Sequence, residues 1–245
     1  MRRFAALLIA LSMLLVAPSA WAADVVDTDG FGTLLEKYVD ANGQVDYAAW
    51  HESKKDRARL DAFLDEVAKA KPDTRSKKAQ LAFYINAYNA VVLDSVLDKW
   101  PVKSVMKEDG FFKKQEHTVA DKKLTLDALK HKLIRPRFKE PRIHFVLVCA
   151  AKSCPRLRQT PMTEKNLEAS LEAAAKEFIP KATKVSGKKV TTSQLFNWFS
   201  DDFKAAEGSV EAYLAKYVDG KAKKVLESGE AKVEFSEYDW AINEQ

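Results

Sequence analysis

The sequence predicts an α+β fold, a mostly helical single domain with a small β-sheet, preceded by an N-terminal signal peptide. Stretches with apolar residues at helical spacing outnumber the β-branched stretches that favour strands. Hydrophobic residues make up 47% and aromatic residues 10% of the chain, which suffices for a packed core. Because neither an internal repeat nor a low-complexity linker interrupts the sequence, residues 23–245 are expected to form one domain.

The first residues follow the pattern of a secretory signal peptide over residues 1–22. Arg2 and Arg3 give a positive start, the apolar run Phe4–Ala17 follows, and residues 20–22 form a small-x-small cleavage motif. Cleavage near Ala22 predicts a periplasmic or secreted protein. The apolar run is shorter than the roughly 20 residues that span a bilayer, and no second long run follows, so the protein is not expected to be integral to a membrane.

The charge balance disfavours nucleic acid as a partner. Removal of Arg2 and Arg3 lowers the formal net charge from +5 to +3, and no arginine-rich tract interleaved with aromatic residues occurs. A mildly basic exported domain is expected to feel a loose attraction to anionic envelope surfaces.

Three helices are predicted in the first hundred residues. Phe31–Ala41 and Arg57–Ala70 carry apolar residues at helical spacing, and Pro72 closes the second of them. The third, Lys78–Trp100, follows Ser76 as a candidate N-cap and is apolar nearly all round. Such a helix is expected at the centre of the core.

The middle of the chain predicts both a hairpin and a strand. Phe111–Val119 suits a short hairpin with the stretch around Leu124. Thr125 suits the N-cap of a helix that Pro136 stops. Arg142–Cys149 is a run of β-branched and aromatic residues, and it is the strongest strand prediction.

Short elements are predicted in the last third of the chain. They are a helix over Thr163–Phe178, a strand over Lys188–Thr191, a helix capped by Ser193, a helix over Val210–Val218 and a terminal strand over Lys232–Phe235. Asp201, Asp202, Asp239 and Trp240 suit capping and packing roles.

Four stretches together resemble the domain-of-unknown-function family 547. They are LAFYINAYNAVV at Leu81–Val92, PRIHFVLVCAAKSCPRLR at Pro141–Arg158, SQLFNWFSDDF at Ser193–Phe203 and SEYDWAINE at Ser236–Glu244. The similarity runs from about Val45 to the C-terminus. It implies no activity, because the family has none that carries over. The resemblance also implies a Glu-His pair where this chain has Lys130 and His131, a departure that disfavours an enzyme.

The two cysteines, Cys149 and Cys154, leave three states open. Four intervening residues can bring the Cα atoms within the roughly 4.4–6.8 Å that a disulfide requires, and an oxidising compartment favours that bond. Alternatively, Cys154 is a nucleophile at the start of a helical turn with Pro155 at its first position, where backbone N–H groups and nearby cations lower the pKa of the thiol. The third state is a pair of buried free thiols.

A nucleophilic Cys154 needs a base, and His131 is the better candidate. In an extended strand, His144 and Cys149 lie about 17 Å apart and on opposite faces. His144 is therefore expected to be a satisfied core histidine. His131, at the end of a preceding helix, is free to approach either sulfur.

The central helix carries two amides on one face, Asn86 and Asn89. Buried amides must be hydrogen-bonded, so these residues are expected to tie the helix to loop backbone, for example at Ala150–Cys154. The functional alternative is that Asn86 or Asn89 lines a site as an orienting group or oxyanion donor. The histidine and cysteine spacings support no metal, and the glycines form no phosphate loop, so no cofactor is expected.

Two function classes remain. The favoured one is a non-catalytic envelope domain, stapled by a Cys149–Cys154 disulfide, that binds a small molecule, a peptide or another envelope partner. The other is a thiol-dependent hydrolase or acyl transferase with Cys154 as nucleophile, His131 as base and Asn86 or Asn89 as a polar helper.

Overall fold

The computed structural model describes residues 24–245, so the signal peptide predicted at residues 1–22 lies outside the described residues. The predicted class is confirmed, since helices dominate and the strands form two small sheets. The helices are α1 (Asp29–Tyr38), α2 (Tyr47–Glu52), α3 (Lys54–Lys69), α4 (Lys77–Asp98), α5 (Leu126–Ala128), α6 (Arg135–Phe138), α7 (Leu167–Ala182), α8 (Leu195–Trp198), α9 (Ser200–Glu207), α10 (Val210–Ala215) and α11 (Gly220–Glu227). The strands are β1 (Glu116–Val119), β2 (Lys122–Thr125), β3 (Lys184–Ser186), β4 (Lys189–Thr192) and β5 (Lys232–Phe235).

Helix α4 is the centre of the core, as its apolar sequence predicts. Nearly all of its residues are buried, including Asn86 and Asn89. The side chain of Ser76 caps the helix by accepting a hydrogen bond from the N–H of Ala79 at 3.1 Å. Because the helix has no polar face, other elements must cover it on every side.

The two sheets lie at different places along the chain. Strands β1 and β2 form the predicted antiparallel hairpin, with Glu116 opposite Thr125. The second sheet has the order β3-β4-β5, in which β3 and β4 are antiparallel and β4 and β5 are parallel. The terminal strand Lys232–Phe235 is confirmed, while α2, α11 and β3 had not been predicted.

The strand predicted over Arg142–Cys149 is wrong. Pro141–Phe145 forms a 3-10 helix, and the backbone that follows is irregular. The segment is buried, and its backbone is hydrogen-bonded to a side chain instead of a strand. The side-chain amide of Asn89 donates to the carbonyl of Val146 at 2.9 Å and accepts from the N–H of Val148 at 3.0 Å. The side chain of Asn89 thus satisfies two buried backbone groups of this segment.

The helix after Thr125 does not stop at Pro136. Thr125 caps it as predicted, accepting from the N–H of Ala128 at 3.1 Å. The chain then passes through a π-helix over Leu129–Ile134 and continues as α6 to Phe138. Pro136 is the second residue of α6; it has no backbone N–H to donate, but the helical backbone continues through it.

Candidate functional site

Cys149 and Cys154 form a disulfide, with Cα atoms 6.3 Å apart. Of the three states that the sequence left open, the structure therefore has the first. The expectation that Pro155 opens a helical turn is wrong, because residues 155–158 have irregular backbone. Any stabilisation of a thiolate by a helix N-terminus is absent at this position.

The C-terminal segment pairs with the disulfide loop and brings a tyrosine to the sulfurs. The N–H groups of Lys152 and Ser153 donate to carbonyl oxygens of that segment at 2.8 and 3.1 Å. This pairing positions Tyr238, whose hydroxyl lies 3.2 Å from Sγ of Cys154 and 3.4 Å from Sγ of Cys149. Burial raises the pKa of Tyr238 above its ordinary value, so the phenol stays protonated and able to donate.

The disulfide lines a cavity of about 140 Å³ that we call the aromatic pocket. Two of its residues are the large apolar side chains with high exposure, Met106 at 56% and Trp198 at 45%. Its aromatic members contact one another, with the rings of Trp198 and Tyr238 4.9 Å apart and those of Tyr238 and Trp240 4.6 Å apart. The pocket is lined by Tyr88, Met106, Phe112, Leu126, Asp127, Lys130, His131, Leu147, Cys149, Cys154, Pro155, Leu195, Trp198, Phe199, Tyr238 and Trp240.

The polar side of the aromatic pocket comes from the π-helix. Lys130 and His131 both lie on it, and π-helical turns frequently occur at functional sites. The ammonium of Lys130 is 4.4 Å from the ring centroid of Phe199, within the range of a cation–π contact. Burial lowers the pKa of Lys130 to about 8, so a fraction of this amine is neutral near physiological pH.

His131 lines the same pocket as the sulfurs, but one of its ring nitrogens is already engaged. Arg135 Nη1 lies 3.0 Å from Nδ1 of His131, and a guanidinium can only donate. Burial and the adjacent Lys130 lower the pKa of His131, which favours a neutral ring that accepts at Nδ1 and carries its proton on Nε2. Nε2 lies 4.0 Å from Asp127. In this tautomer His131 offers the pocket a donor rather than a base.

His144 belongs to a second cluster, in which its own side chain is fully buried and those of Asp202 and Arg135 are partly exposed. Its Nε2 is 2.7 Å from Asp202, and its ring stacks on Phe199 with centroids 3.9 Å apart. Arg135 binds the same carboxylate with two hydrogen bonds of 2.8 and 2.9 Å. His144 is not among the described residues that line the aromatic pocket.

The electrostatics of this cluster fix its protonation. Burial lowers the pKa of His144 well below the ordinary value, against the opposite effect of Asp202. Burial alone would raise the pKa of Asp202, but the hydrogen bonds from His144 and Arg135 hold it far below its ordinary value. His144 is therefore a neutral donor to an ionised carboxylate. Its Nδ1 is buried and has no hydrogen-bond partner among the residues the structure describes.

Asn86 and Asn89 hold loop backbone, which confirms the structural interpretation of these amides. Asn86 donates to the carbonyl of Met162 at 2.7 Å and accepts from its N–H at 2.9 Å. Asn89 makes the corresponding pair with Val146 and Val148. The tied segments are therefore 146–148 and residue 162, rather than the suggested Ala150–Cys154.

Sequence reasoning missed several residues of these two regions. Asp202 was expected to cap or pack, and it instead forms the ion pair with Arg135. Trp240 was expected to pack, and together with Tyr238 it lines the aromatic pocket. Tyr238 and Trp240 both lie in the stretch Ser236–Glu244, and the family resemblance of that stretch was a signal that these two residues matter.

Over residues 24–245, no group of three or more histidine, cysteine or acidic side chains is arranged to hold a metal ion. Over the same residues, no helix combines the length and apolarity needed to cross a membrane.

Residues 72–179 match the family model described as "Protein of unknown function, DUF547". Neither the curated proteins nor the solved structures gave a match. The matched segment contains α4, the π-helix and the disulfide loop, whereas Trp198, Phe199, Tyr238 and Trp240 lie beyond it. One wall of the aromatic pocket therefore comes from outside the matched segment.

Proposed function

The chain is a member of DUF547, a family of unknown function, and we propose that it is an exported, non-catalytic binding domain whose aromatic pocket takes an apolar or aromatic group. That group belongs to a small molecule, a peptide or another envelope partner. The observation that carries the proposal is an open pocket walled by aromatic side chains and floored by a closed disulfide.

The composition of the pocket supports binding. Ligand sites are mostly apolar and carry a few polar groups that orient the ligand, and Asp127, Lys130 and His131 supply such groups here. Met106 and Trp198 are large apolar side chains exposed at 56% and 45%. Both line the aromatic pocket, so they add accessible apolar surface to it.

The state of the sulfurs supports a role without catalysis. A sulfur in a disulfide is not a free nucleophile, and the lone pair at Nδ1 of His131 is engaged by Arg135. The disulfide joins Cys149 to Cys154, and both residues line the aromatic pocket, so the bond fixes this part of the pocket lining.

Two independent features support export. Residues 1–22 follow the signal-peptide pattern, and disulfides persist in oxidising compartments outside the cytoplasm. Expression of the full chain should give a mature protein that begins near Ala23, measured by its intact mass.

Binding is tested with the dye 8-anilinonaphthalene-1-sulfonate, whose fluorescence reports exposed apolar sites. The mature, oxidised protein should bind the dye saturably. Trp198→Ser should weaken that binding by about five- to tenfold, because one aromatic contact is worth about 1 kcal/mol. Leu64→Ser is the matched control, since it removes a partly exposed apolar side chain outside the pocket. Absence of saturable binding, or an equal effect of both substitutions, would contradict the proposal.

A specific contact favours a second candidate, a thiol-dependent hydrolase or acyl transferase that acts after reduction. Two donors already reach Sγ of Cys154: the N–H of Cys149 at 3.0 Å and the hydroxyl of Tyr238 at 3.2 Å. After reduction both would stabilise a thiolate, and His131 lines the same pocket as its candidate base.

Cys149→Ser tests this candidate without a reductant, because it leaves Cys154 permanently free. If the candidate is right, this variant hydrolyses p-nitrophenyl acetate with a burst that Cys149→Ser/Cys154→Ser lacks, and His131→Gln slows it. Equal rates for the single and double cysteine variants would exclude the thiol enzyme and leave the binding domain.

A further inference from the structure

A second cavity, of about 200 Å³, adjoins the disulfide loop on residues that the binding proposal does not use. Among the described residues it shares only Cys154 and Pro155 with the aromatic pocket. We call it the cationic pocket, because its charged lining is Arg156, Arg158, Lys181 and Glu177.

The cationic pocket has an excess of positive charge. Three cations face one carboxylate, so the four side chains sum to +2 (three minus one). Glu177 is shared among them, at 2.9 Å from Arg156, 3.4 Å from Arg158 and 3.3 Å from Lys181. A single carboxylate cannot pair bidentately with two guanidinium groups, so much of their donor capacity is left unused.

The unused capacity is buried. Nε of Arg156 and Nε of Arg158 are both inaccessible and have no hydrogen-bond partner among residues 24–245. Buried donors without partners are uncommon in proteins and each requires an explanation. Burial and the neighbouring Arg156 lower the pKa of Arg158, which agrees with a guanidinium held against another cation with too little counter-charge.

The wall of the cationic pocket is rigid. Arg156 Nη1 donates to the carbonyl of Ala41 at 2.8 Å, which fixes one guanidinium against the turn at residues 40–43. Gly43 has a φ of +81°, and a Cβ there would lie 2.5 Å from Cγ of Arg156, so only glycine permits this approach. The nearby carboxylate of Asp40 accepts the N–H groups of Asn42 and Gln44 at 2.8 Å each and is not directed to the arginines.

We propose that the cationic pocket binds a phosphoryl group, either inorganic phosphate or the phosphate of a monoester. Such a group carries about −1.5 to −2 charges at pH 7, which balances the +2 of the four side chains. Its several acceptor oxygens can accept from the Nη groups of both guanidinium groups at once, because these side chains remain partly exposed although each Nε is inaccessible. A carboxylate would leave half of the charge and most of the donors unmatched.

The test is a ³¹P NMR titration of the mature, oxidised protein with inorganic phosphate and, separately, with glycerol 3-phosphate, at constant ionic strength set by chloride. Both should bind saturably. Tighter binding of glycerol 3-phosphate identifies a monoester as the ligand, and equal binding identifies inorganic phosphate. Arg158→Gln should weaken binding about tenfold or more, the loss expected for one charge-assisted fork.

Matched variants separate the site from general electrostatics. Arg158→Lys keeps the charge but loses the fork, so its affinity should fall between those of the parent and Arg158→Gln. Lys181→Gln should weaken binding. Lys176→Gln makes the same charge change on the same helix outside the pocket and should leave binding unchanged. The proposal is overturned if phosphate does not bind, if acetate binds equally well, or if Arg158→Gln and Lys176→Gln behave alike while folded.

Discussion

The aromatic pocket and the His144 cluster meet at the ring of Phe199 and at Arg135, which contacts both His131 and Asp202, yet the two regions differ in their physical character. His144 stacks on this ring at 3.9 Å, and the ammonium of Lys130 lies 4.4 Å from its centroid. The cluster is charged, and its carboxylate is paired with both Arg135 and the fully buried His144. The pocket is open to solvent, and its lining is mostly apolar and includes the disulfide.

This difference teaches that a perturbed pKa and an accessible site need not coincide. The histidine with the strongly lowered pKa, His144, has a fully buried side chain that pairs with Asp202. A histidine in the pocket, His131, has an arginine on its acceptor nitrogen. Burial explains the first case and pairing the second, so the groups that the pocket still offers a ligand are its aromatic walls, its sulfurs and the amine of Lys130.

The largest effect is expected from breaking the His144 cluster. Asp202→Ala leaves Arg135 without its carboxylate and His144 without its acceptor. Asp202 is the acceptor of the fully buried His144 and the counter-ion of the partly exposed Arg135, so its removal should lower the free energy of unfolding by about 3 kcal/mol. Urea unfolding measures it.

The neighbouring Asp201→Ala is the matched control, because it removes an exposed carboxylate in the same helix turn. Its free energy of unfolding should stay within about 0.5 kcal/mol of the parent. If both substitutions lower the free energy of unfolding by similar amounts, the hydrogen bonds of Asp202 to His144 and Arg135 do not carry the expected stability.

A smaller loss is expected from opening the floor of the pocket. Reduction removes a crosslink across residues 149–154, and the chain-entropy estimate for so short a loop is about 2 kcal/mol. Dithiothreitol should therefore lower the free energy of unfolding of the parent, while Cys149→Ser/Cys154→Ser should not respond to it. If dithiothreitol leaves the free energy of unfolding of the parent unchanged as well, the disulfide does not stabilise the fold.

The smallest effect concerns pH. Because the folded-state pKa of His144 is lowered, the unfolded chain binds a proton that the folded chain does not once the pH falls below the ordinary histidine pKa. Stability should then decline between about pH 6.5 and pH 5, by about 1 kcal/mol per pH unit from this residue. Asp202, whose pKa is also lowered, loses its contribution only at more acidic pH.

His144→Gln should make that decline shallower. His117 and His131 also have lowered pKa values and retain their share of the slope in the variant. The measurement is urea unfolding at a series of pH values. An unchanged slope would mean that His144 is not held neutral in the folded protein.

The class of the fold and its central helix could be predicted because local pattern decides them. The apolar run Lys78–Trp100 and its Ser76 cap correspond to α4 within two residues at its C-terminal end. The hairpin and the terminal strand Lys232–Phe235 were similarly accessible from short-range patterning.

Arg142–Cys149 could not be predicted, because a distant side chain determines its structure. Its residues suit a strand, but Asn89 binds the backbone of Val146 and Val148, and N–H groups within the segment donate to the carbonyl of Ile143. The sequence argument separated His144 from the cysteines because it assumed an extended strand. That strand is absent, although His144 does not line the aromatic pocket with the cysteines. Instead, Asp202 accounts for where His144 lies, and nothing local in the sequence links those two residues.

The candidate site was half predictable. Cys149, Cys154 and His131 do line one pocket, as expected from their shared motif and the preceding helix. Tyr238, Trp198 and Trp240 complete it through pairing between the disulfide loop and the C-terminal segment, which is a long-range contact. Pattern alone carries no information on such a pairing.

The most direct test of the account is the state of the two sulfurs in the mature protein. The mature protein is treated with iodoacetamide without reductant, and its intact mass is measured. The same protein is then reduced, unfolded and alkylated, and its mass is measured again. We predict no mass gain in the first step and two additions in the second, as expected if a disulfide floors the pocket. Rapid single labelling at Cys154 before reduction would contradict that claim and point to a reactive thiol instead.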